Sequence, residues 1–145
     1  MTIKTSILLV IFALIVVVVA QTESKTTTCT PKIAKKALRE THRLQKAAPA
    51  VWVNTLYDSY KKYKVCEEES IEAGYSTAIN TLMRKNWKTT PKLVKYMQND
   101  TQFNEFIFSH ALSEHNSIED IESLKKLATE KCPKGQQDFC KKIIE

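Results

Sequence analysis

Glycine and proline are scarce in this chain. Only 2 glycines and 4 prolines occur among its 145 residues. Domains rich in β-strands usually place more of these residues in their turns, so the scarcity argues against an all-β fold. The two glycines, Gly74 and Gly135, also lie too far apart to build a glycine-rich phosphate-binding loop. The composition therefore favours a helical protein and excludes that nucleotide-binding motif.

The sequence also has few residues arranged for metal binding or catalysis. It contains no C-x-x-C motif, and His110 and His115 are not at the i, i+4 spacing of a helical ligand pair. No serine or cysteine nucleophile with a base and an orienting residue is recognisable around His110. The acidic runs at Glu67–Glu69 and Glu119–Glu122 are typical of solvated helix starts. We therefore expect no metal ion, no cofactor and no enzymatic activity.

Long apolar runs are missing everywhere except near the amino terminus. Lys4 precedes an uninterrupted apolar run, Ile7–Ala20, and the small residue Ala20 precedes Gln21. A positive residue, a short apolar run and a small-residue cleavage pattern are typical of a secretory signal peptide. We expect residues 1–20 to be a cleaved signal, with a retained anchor as the alternative. Cleavage would leave no stable membrane span, so the sequence predicts a secreted or periplasmic protein.

The remainder of the chain reads as one helical domain. Residues 21–28 are polar and rich in threonine, which predicts a short disordered lead. Residues 29–145 show apolar side chains at helical spacing, with few turn residues between them. We expect a single α-helical domain there, a compact disulfide-stapled bundle of about five to seven helices. The predicted spans are Pro31–Ala47, Ala50–Val65, Glu68–Arg84, Pro91–Met97, Thr101–Leu112, Ile118–Lys131 and a last helix that carries Phe139 and Ile143. Thr30 and Ser117 are the expected N-caps of the first and sixth helices. Gly74 is expected to mark close helix packing, and Ala48 and Ile118 are expected to face the core.

The 4 cysteines all follow the signal segment. An even number in an exported chain predicts two disulfides, and four cysteines allow three pairings. Pro49 divides the stretch between Cys29 and Cys66 into two helices of similar length, which a tight turn would make antiparallel. Because that hairpin returns Cys66 to Cys29, we expect Cys29–Cys66 and, by remainder, Cys132–Cys140.

The first predicted helix carries a one-sided cluster of cations. Its members fall within about 100° of the helix circumference. The only acid of that helix, Glu40, lies off this sector. We call the cluster the basic face: Lys32, Lys35, Lys36, Arg39, Arg43 and Lys46. It predicts an anionic macromolecule or surface, or a protein, as partner. Because the protein is expected to be exported, nucleic acid is not an expected partner. The plainer alternative is a solvated face that keeps the protein soluble.

Two further features leave alternatives open. Trp52, Tyr60 and Tyr63 give the second predicted helix an aromatic stripe, which favours core packing or, alternatively, an internal cavity for a small apolar ligand. The chain resembles the insect odorant-binding proteins only in size, signal segment and helicity. Its cysteine spacings depart from that family, so the chain is not assigned to it. Asn99-Asp100-Thr101 is an N-glycosylation sequon, which matters only in a eukaryotic source.

The leading expectation is an exported helical binding protein of unknown ligand.

Overall fold

The computed structural model describes residues 28–66 and 68–145. The predicted signal peptide and nearly all of the predicted lead lie outside the described residues. Within them the chain forms seven α-helices and one short 3-10 helix, with no β-strand. The prediction of an all-α bundle is therefore confirmed. The helices are α1 (Pro31–Leu44), α2 (Trp52–Tyr63), α3 (Glu69–Lys85), the 3-10 helix (Trp87–Thr89), α4 (Thr90–Asn99), α5 (Thr101–Ala111), α6 (Ile118–Glu130) and α7 (Gln137–Ile144).

Side-chain caps fix three of the helix starts. The hydroxyl of Thr30 accepts a hydrogen bond from the Ile33 amide at 3.4 Å, and that of Ser117 accepts one from the Asp120 amide at 3.1 Å. The Asp100 carboxylate accepts one from the Phe103 amide at 3.0 Å. The bonds to Ser117 and Asp100 satisfy amides that have no partner within their own helices. The Ile33 amide also donates to the Thr30 backbone carbonyl at 2.8 Å. The expected caps at Thr30 and Ser117 are confirmed, and Asp100 is a cap that sequence analysis missed.

The connection between α1 and α2 contains more residues than predicted. Helix α1 ends at Leu44 instead of Ala47, and α2 begins at Trp52 instead of Ala50. The intervening residues form turns around Pro49, whose ring cannot donate a hydrogen bond. The amides of Val51 and Trp52 both bond to the Ala48 carbonyl, so the new helix starts only after that turn is complete.

Helix α3 is the centre of the bundle, because α1, α5 and α6 all pack against it. Its contact with α1 is very close at Gly74. A Cβ atom at that position would lie 2.9 Å from Thr41 Cβ, and nearer still to Thr41 Oγ1. Small side chains on α1, Ala34 and Ala37, are buried on the same side of the helix. The expectation that Gly74 marks close helix packing is confirmed.

The buried polar groups of the core are mostly paired. The indole N–H of Trp52 donates to Thr89 Oγ1 at 2.7 Å, and that of Trp87 donates to the Lys131 carbonyl at 2.7 Å. The Tyr75 hydroxyl lies 2.8 Å from Ser59 Oγ. These bonds remove the cost of burying a polar atom without a partner. The Tyr60 hydroxyl is buried and has no partner among the described residues.

Some residues expected to face the core do not. Ala48 is exposed, and Ile118 is 81% exposed. Along α6 burial increases from Ile118 through the half-buried Ile121 to the fully buried Leu124. The first turn of α6 therefore projects away from the core, and the helix meets it only in its second half. The apolar spacing predicts the buried side of this helix correctly, but not where that side becomes covered.

Both expected disulfides are present. Cys29 pairs with Cys66 at a Cα–Cα distance of 5.1 Å, and Cys132 pairs with Cys140 at 6.0 Å. The first closes the open end of the α1–α2 hairpin, and the second joins the end of α6 to α7. Two such bonds in a small chain are typical of an oxidising, extracellular environment. In the described part of the chain, no helix has the length and apolar character needed to cross a membrane.

Candidate anion-binding face of α1

Helix α1 separates buried small residues from exposed cations. Ala34, Ala37, Thr41 and Leu44 are buried. All six members of the basic face are exposed, as the sequence predicts for the outer side of this helix. The cations therefore lie on the surface of a helix whose other side is fixed against the bundle.

One member of the basic face has an intramolecular partner. The guanidinium of Arg43 lies 2.7 Å from the Glu40 carboxylate. This hydrogen bond and the attraction of the same carboxylate raise the pKa of Arg43. Glu40 does lie off the basic sector, but its side chain reaches into it. Among residues 28–66 and 68–145, no ion pair is formed by the other five members: Lys32, Lys35, Lys36, Arg39 and Lys46.

The backbone under these cations is held at two points. Cys29, which precedes the Thr30 cap, is tied to the end of the hairpin by its disulfide with Cys66. Gly74 of α3 contacts Thr41 in the middle of α1. A ligand at the basic face would therefore not have to order the backbone, which is one of the main costs of association. Arg39, which forms no ion pair in the described part of the chain, can bind an oxyanion with two hydrogen bonds, and the lysines act as point charges.

A second group of cations was not predicted from the sequence. No Asp or Glu occurs from Ala73 to Asn99, and we call this stretch the acid-free segment. The absence of acids over so long a stretch is the signal that could have revealed it. Arg84 pairs with Asp120 of α6 at 2.7 Å, so its charge is offset. The cations of the acid-free segment are Arg84, Lys85, Lys88, Lys92 and Lys95.

A solvent-open groove of about 820 Å³ lies beside the middle of this segment, along residues 84–89. It runs between the carboxyl ends of α3 and α6, beside the turn that holds Pro49. We call it the Trp87 groove. Its principal residues are Trp87, Leu127, Pro133, Lys85, Lys88 and Lys131.

Of the aromatic residues that favoured an internal cavity, Tyr60 packs against rings of another helix, and Trp52 and Tyr63 are buried. Ring centroids lie 4.9 Å apart for both Tyr57–Phe103 and Tyr60–Phe103. Tyr75 and Phe106 are separated by 5.1 Å. These distances are typical of packed aromatic pairs in a protein core. The rings thus fill the space between α2, α3 and α5, which supports the core-packing alternative for them.

His110 is held as a packing residue. Its ring lies 4.2 Å from the Phe106 ring, and its Nδ1–H donates to the Phe106 carbonyl at 2.8 Å. Burial lowers the pKa of His110. His115 is exposed, and the described residues contain no group of three His, Cys, Asp or Glu side chains placed to hold a metal ion. Of the acidic run, Glu68 and Glu69 are exposed.

Asn99 is exposed at the end of α4, where its side-chain N–H donates to the Lys95 carbonyl at 2.9 Å. The sequon therefore lies on the surface, next to the Asp100 cap of α5. Glycosylation of Asn99 in a eukaryotic source stays a prediction.

Comparisons with known protein families, curated proteins and solved structures found no match for this chain. The class that the fold defines is a small all-α protein with two disulfides. Its function is therefore inferred from its own residues.

Proposed function

We propose that this protein is an exported, non-enzymatic binding protein that engages an anionic partner through the basic face of α1. The observation that carries the proposal is the set of six exposed cations on one helix, of which only Arg43 has an ion-pair partner among the described residues. A solvated face kept only for solubility would not need cations alone, because soluble surfaces usually carry charges of both signs interspersed. The partner is an acidic glycan, an anionic lipid surface or an acidic protein.

The location of the partner follows from the proposed export. The apolar amino terminus supports secretion or transfer to the periplasm, and the disulfides suit the oxidising conditions there. Nucleic acid is not the expected partner in that setting. Exposed charges attract partners over about a Debye length, so binding should weaken steeply as salt rises.

The experiment is chromatography and titration on heparin, a sulfated polysaccharide that serves as the probe. The test variant replaces Lys35, Lys36 and Arg39 with glutamine, because these residues are exposed and form no ion pair in the described part of the chain. The control variant makes the same charge change at Lys61, Lys126 and Lys141, each of which already has a carboxylate nearby. Both variants alter exposed residues only, so both should fold.

The expected result is a difference between two proteins of equal net charge. Exposed pairs contribute about 0.2–1 kcal/mol each, so the loss of three should weaken heparin binding by about 0.6–3 kcal/mol, or roughly 3- to 150-fold. The control should elute close to the native protein. Equal elution of the two variants would mean that net charge alone governs retention, and the proposed role of α1 would be wrong.

A further inference from the structure

The Trp87 groove combines an apolar floor with a cationic rim. The floor is formed by Trp87, Leu127 and Pro133, and the rim by the exposed lysines Lys85, Lys88 and Lys131. Its volume of about 820 Å³ falls in the range of small-molecule sites, which are about 300–1,000 Å³. Such sites are mostly apolar and contain a few polar groups that orient the ligand.

The charges of the rim are available to a ligand. Arg84, which also borders the groove, is occupied by Asp120, but the three rim lysines form no ion pair within the described residues. Trp87 is different, because its indole N–H already donates to the Lys131 carbonyl. Trp87 therefore offers the groove an apolar ring and no free hydrogen-bond donor. The polar recognition must come from the lysines.

Helix electrostatics account for only part of this arrangement. Lys85 and Lys131 lie at the carboxyl ends of α3 and α6, where cations offset the negative end of the helix dipole. Lys88 lies on the short 3-10 helix, so it is not placed at the carboxyl end of a long helix to offset its dipole. Helix stabilisation also gives no reason for an apolar opening between the lysines. The combination of floor and rim indicates a ligand with both characters.

We propose that the Trp87 groove binds a monomeric amphiphilic anion, that is, a compact apolar body carrying a carboxylate, sulfonate or phosphate. The apolar body lies on Trp87, Leu127 and Pro133, and the anionic group lies between Lys88 and Lys131. The site is separate from the basic face of α1 and does not depend on the function proposed for it. The protein would then carry two anion-recognising surfaces of different kinds.

The test uses two fluorescent probes with closely similar apolar bodies. Anilinonaphthalene sulfonate carries an anionic group, and phenylnaphthylamine lacks it. Each is titrated into the native protein, into the double variant Lys88→Gln/Lys131→Gln and into the control Lys61→Gln/Lys141→Gln, which removes the same charge from exposed residues outside both sites. Circular dichroism and Tm establish that each variant is folded. Shifts of the two tryptophan indole signals in ¹⁵N–¹H spectra locate the bound probe.

The native protein and the control should bind the sulfonate probe saturably at one site, with a shift of the Trp87 indole signal. The groove variant should bind it about tenfold more weakly, because two charge-assisted contacts are lost. The uncharged probe should bind the native protein about tenfold more weakly than the sulfonate probe does. Equal binding of the sulfonate probe to native protein and groove variant would overturn the proposal, as would saturation without a shift of Trp87.

Discussion

Replacing Gly74 with alanine tests the closest helix contact in the bundle. In an unconstrained helix this change would stabilise the protein by about 1 kcal/mol, because alanine favours the helix more than glycine does. Here the added Cβ would lie 2.9 Å from Thr41 Cβ. Thr41 is fully buried, its hydroxyl donates to the Leu38 carbonyl at 2.8 Å, and a β-branched side chain in a helix has few rotamers. The helices must therefore separate.

Overpacking of this kind costs about 1–3 kcal/mol, so the net change should be a loss of up to about 2 kcal/mol. The assay is urea denaturation followed by circular dichroism. Thr41→Gly removes all three Thr41 side-chain atoms that the new Cβ would meet. In that background Gly74→Ala should cost at least about 1 kcal/mol less, and the double-mutant cycle measures the difference. A Gly74→Ala protein that is about 1 kcal/mol more stable than the native protein would refute the close contact.

Three further perturbations follow from the core, the disulfides and the half-buried His110. Tyr60→Phe should leave the free energy of unfolding unchanged or raise it, because the Tyr60 hydroxyl has no partner among the described residues. Tyr75→Phe should cost about 1 kcal/mol, because it removes the hydrogen-bonded hydroxyl beside Ser59. Urea midpoints that fall equally for both variants would contradict this. Reduction of both disulfides should lower the free energy of unfolding substantially. On a chain-entropy basis, Cys29–Cys66 contributes about 4 kcal/mol and Cys132–Cys140 about 2.6 kcal/mol. An unchanged Tm in reductant would contradict these contributions. Burial lowers the pKa of His110, so the unfolded chain binds that proton first and stability should fall as pH drops below about 6.5. His110→Gln should reduce this loss between pH 7.5 and 5.5, and the exposed His115→Gln should not.

Helix content and the cysteine pairing could be predicted because they depend on local signals. Thr30 and Ser117 are N-cap residues that mark helix starts, and the hairpin divided by Pro49 brings Cys29 to Cys66. The same local reasoning placed the end of α1 three residues too late. Whether residues after Leu44 continue a helix depends on how the turn reaches α2, and apolar spacing contains no information on that path.

The site was predicted in part for the same reason. Helical spacing identified the basic face, since exposure follows from the amphipathic pattern of a single helix. The Glu40–Arg43 pair depends on side-chain reach, and the Trp87 groove depends on α3 and α6 ending side by side. Ile118 was expected inside because its spacing is correct, yet within residues 28–66 and 68–145 its side chain is left largely uncovered. Contacts between elements distant in sequence are what the residue pattern alone could not supply.

The most direct test of the proposed role of α1 is a ¹⁵N–¹H correlation titration with a short heparin-derived oligosaccharide. The perturbed amides identify the bound surface without any substitution. The account predicts saturable shifts concentrated in α1, around Lys35, Lys36 and Arg39, that diminish as salt is added. Shifts concentrated in the acid-free segment around Lys88 and Lys92, or no saturable shifts at all, would contradict it.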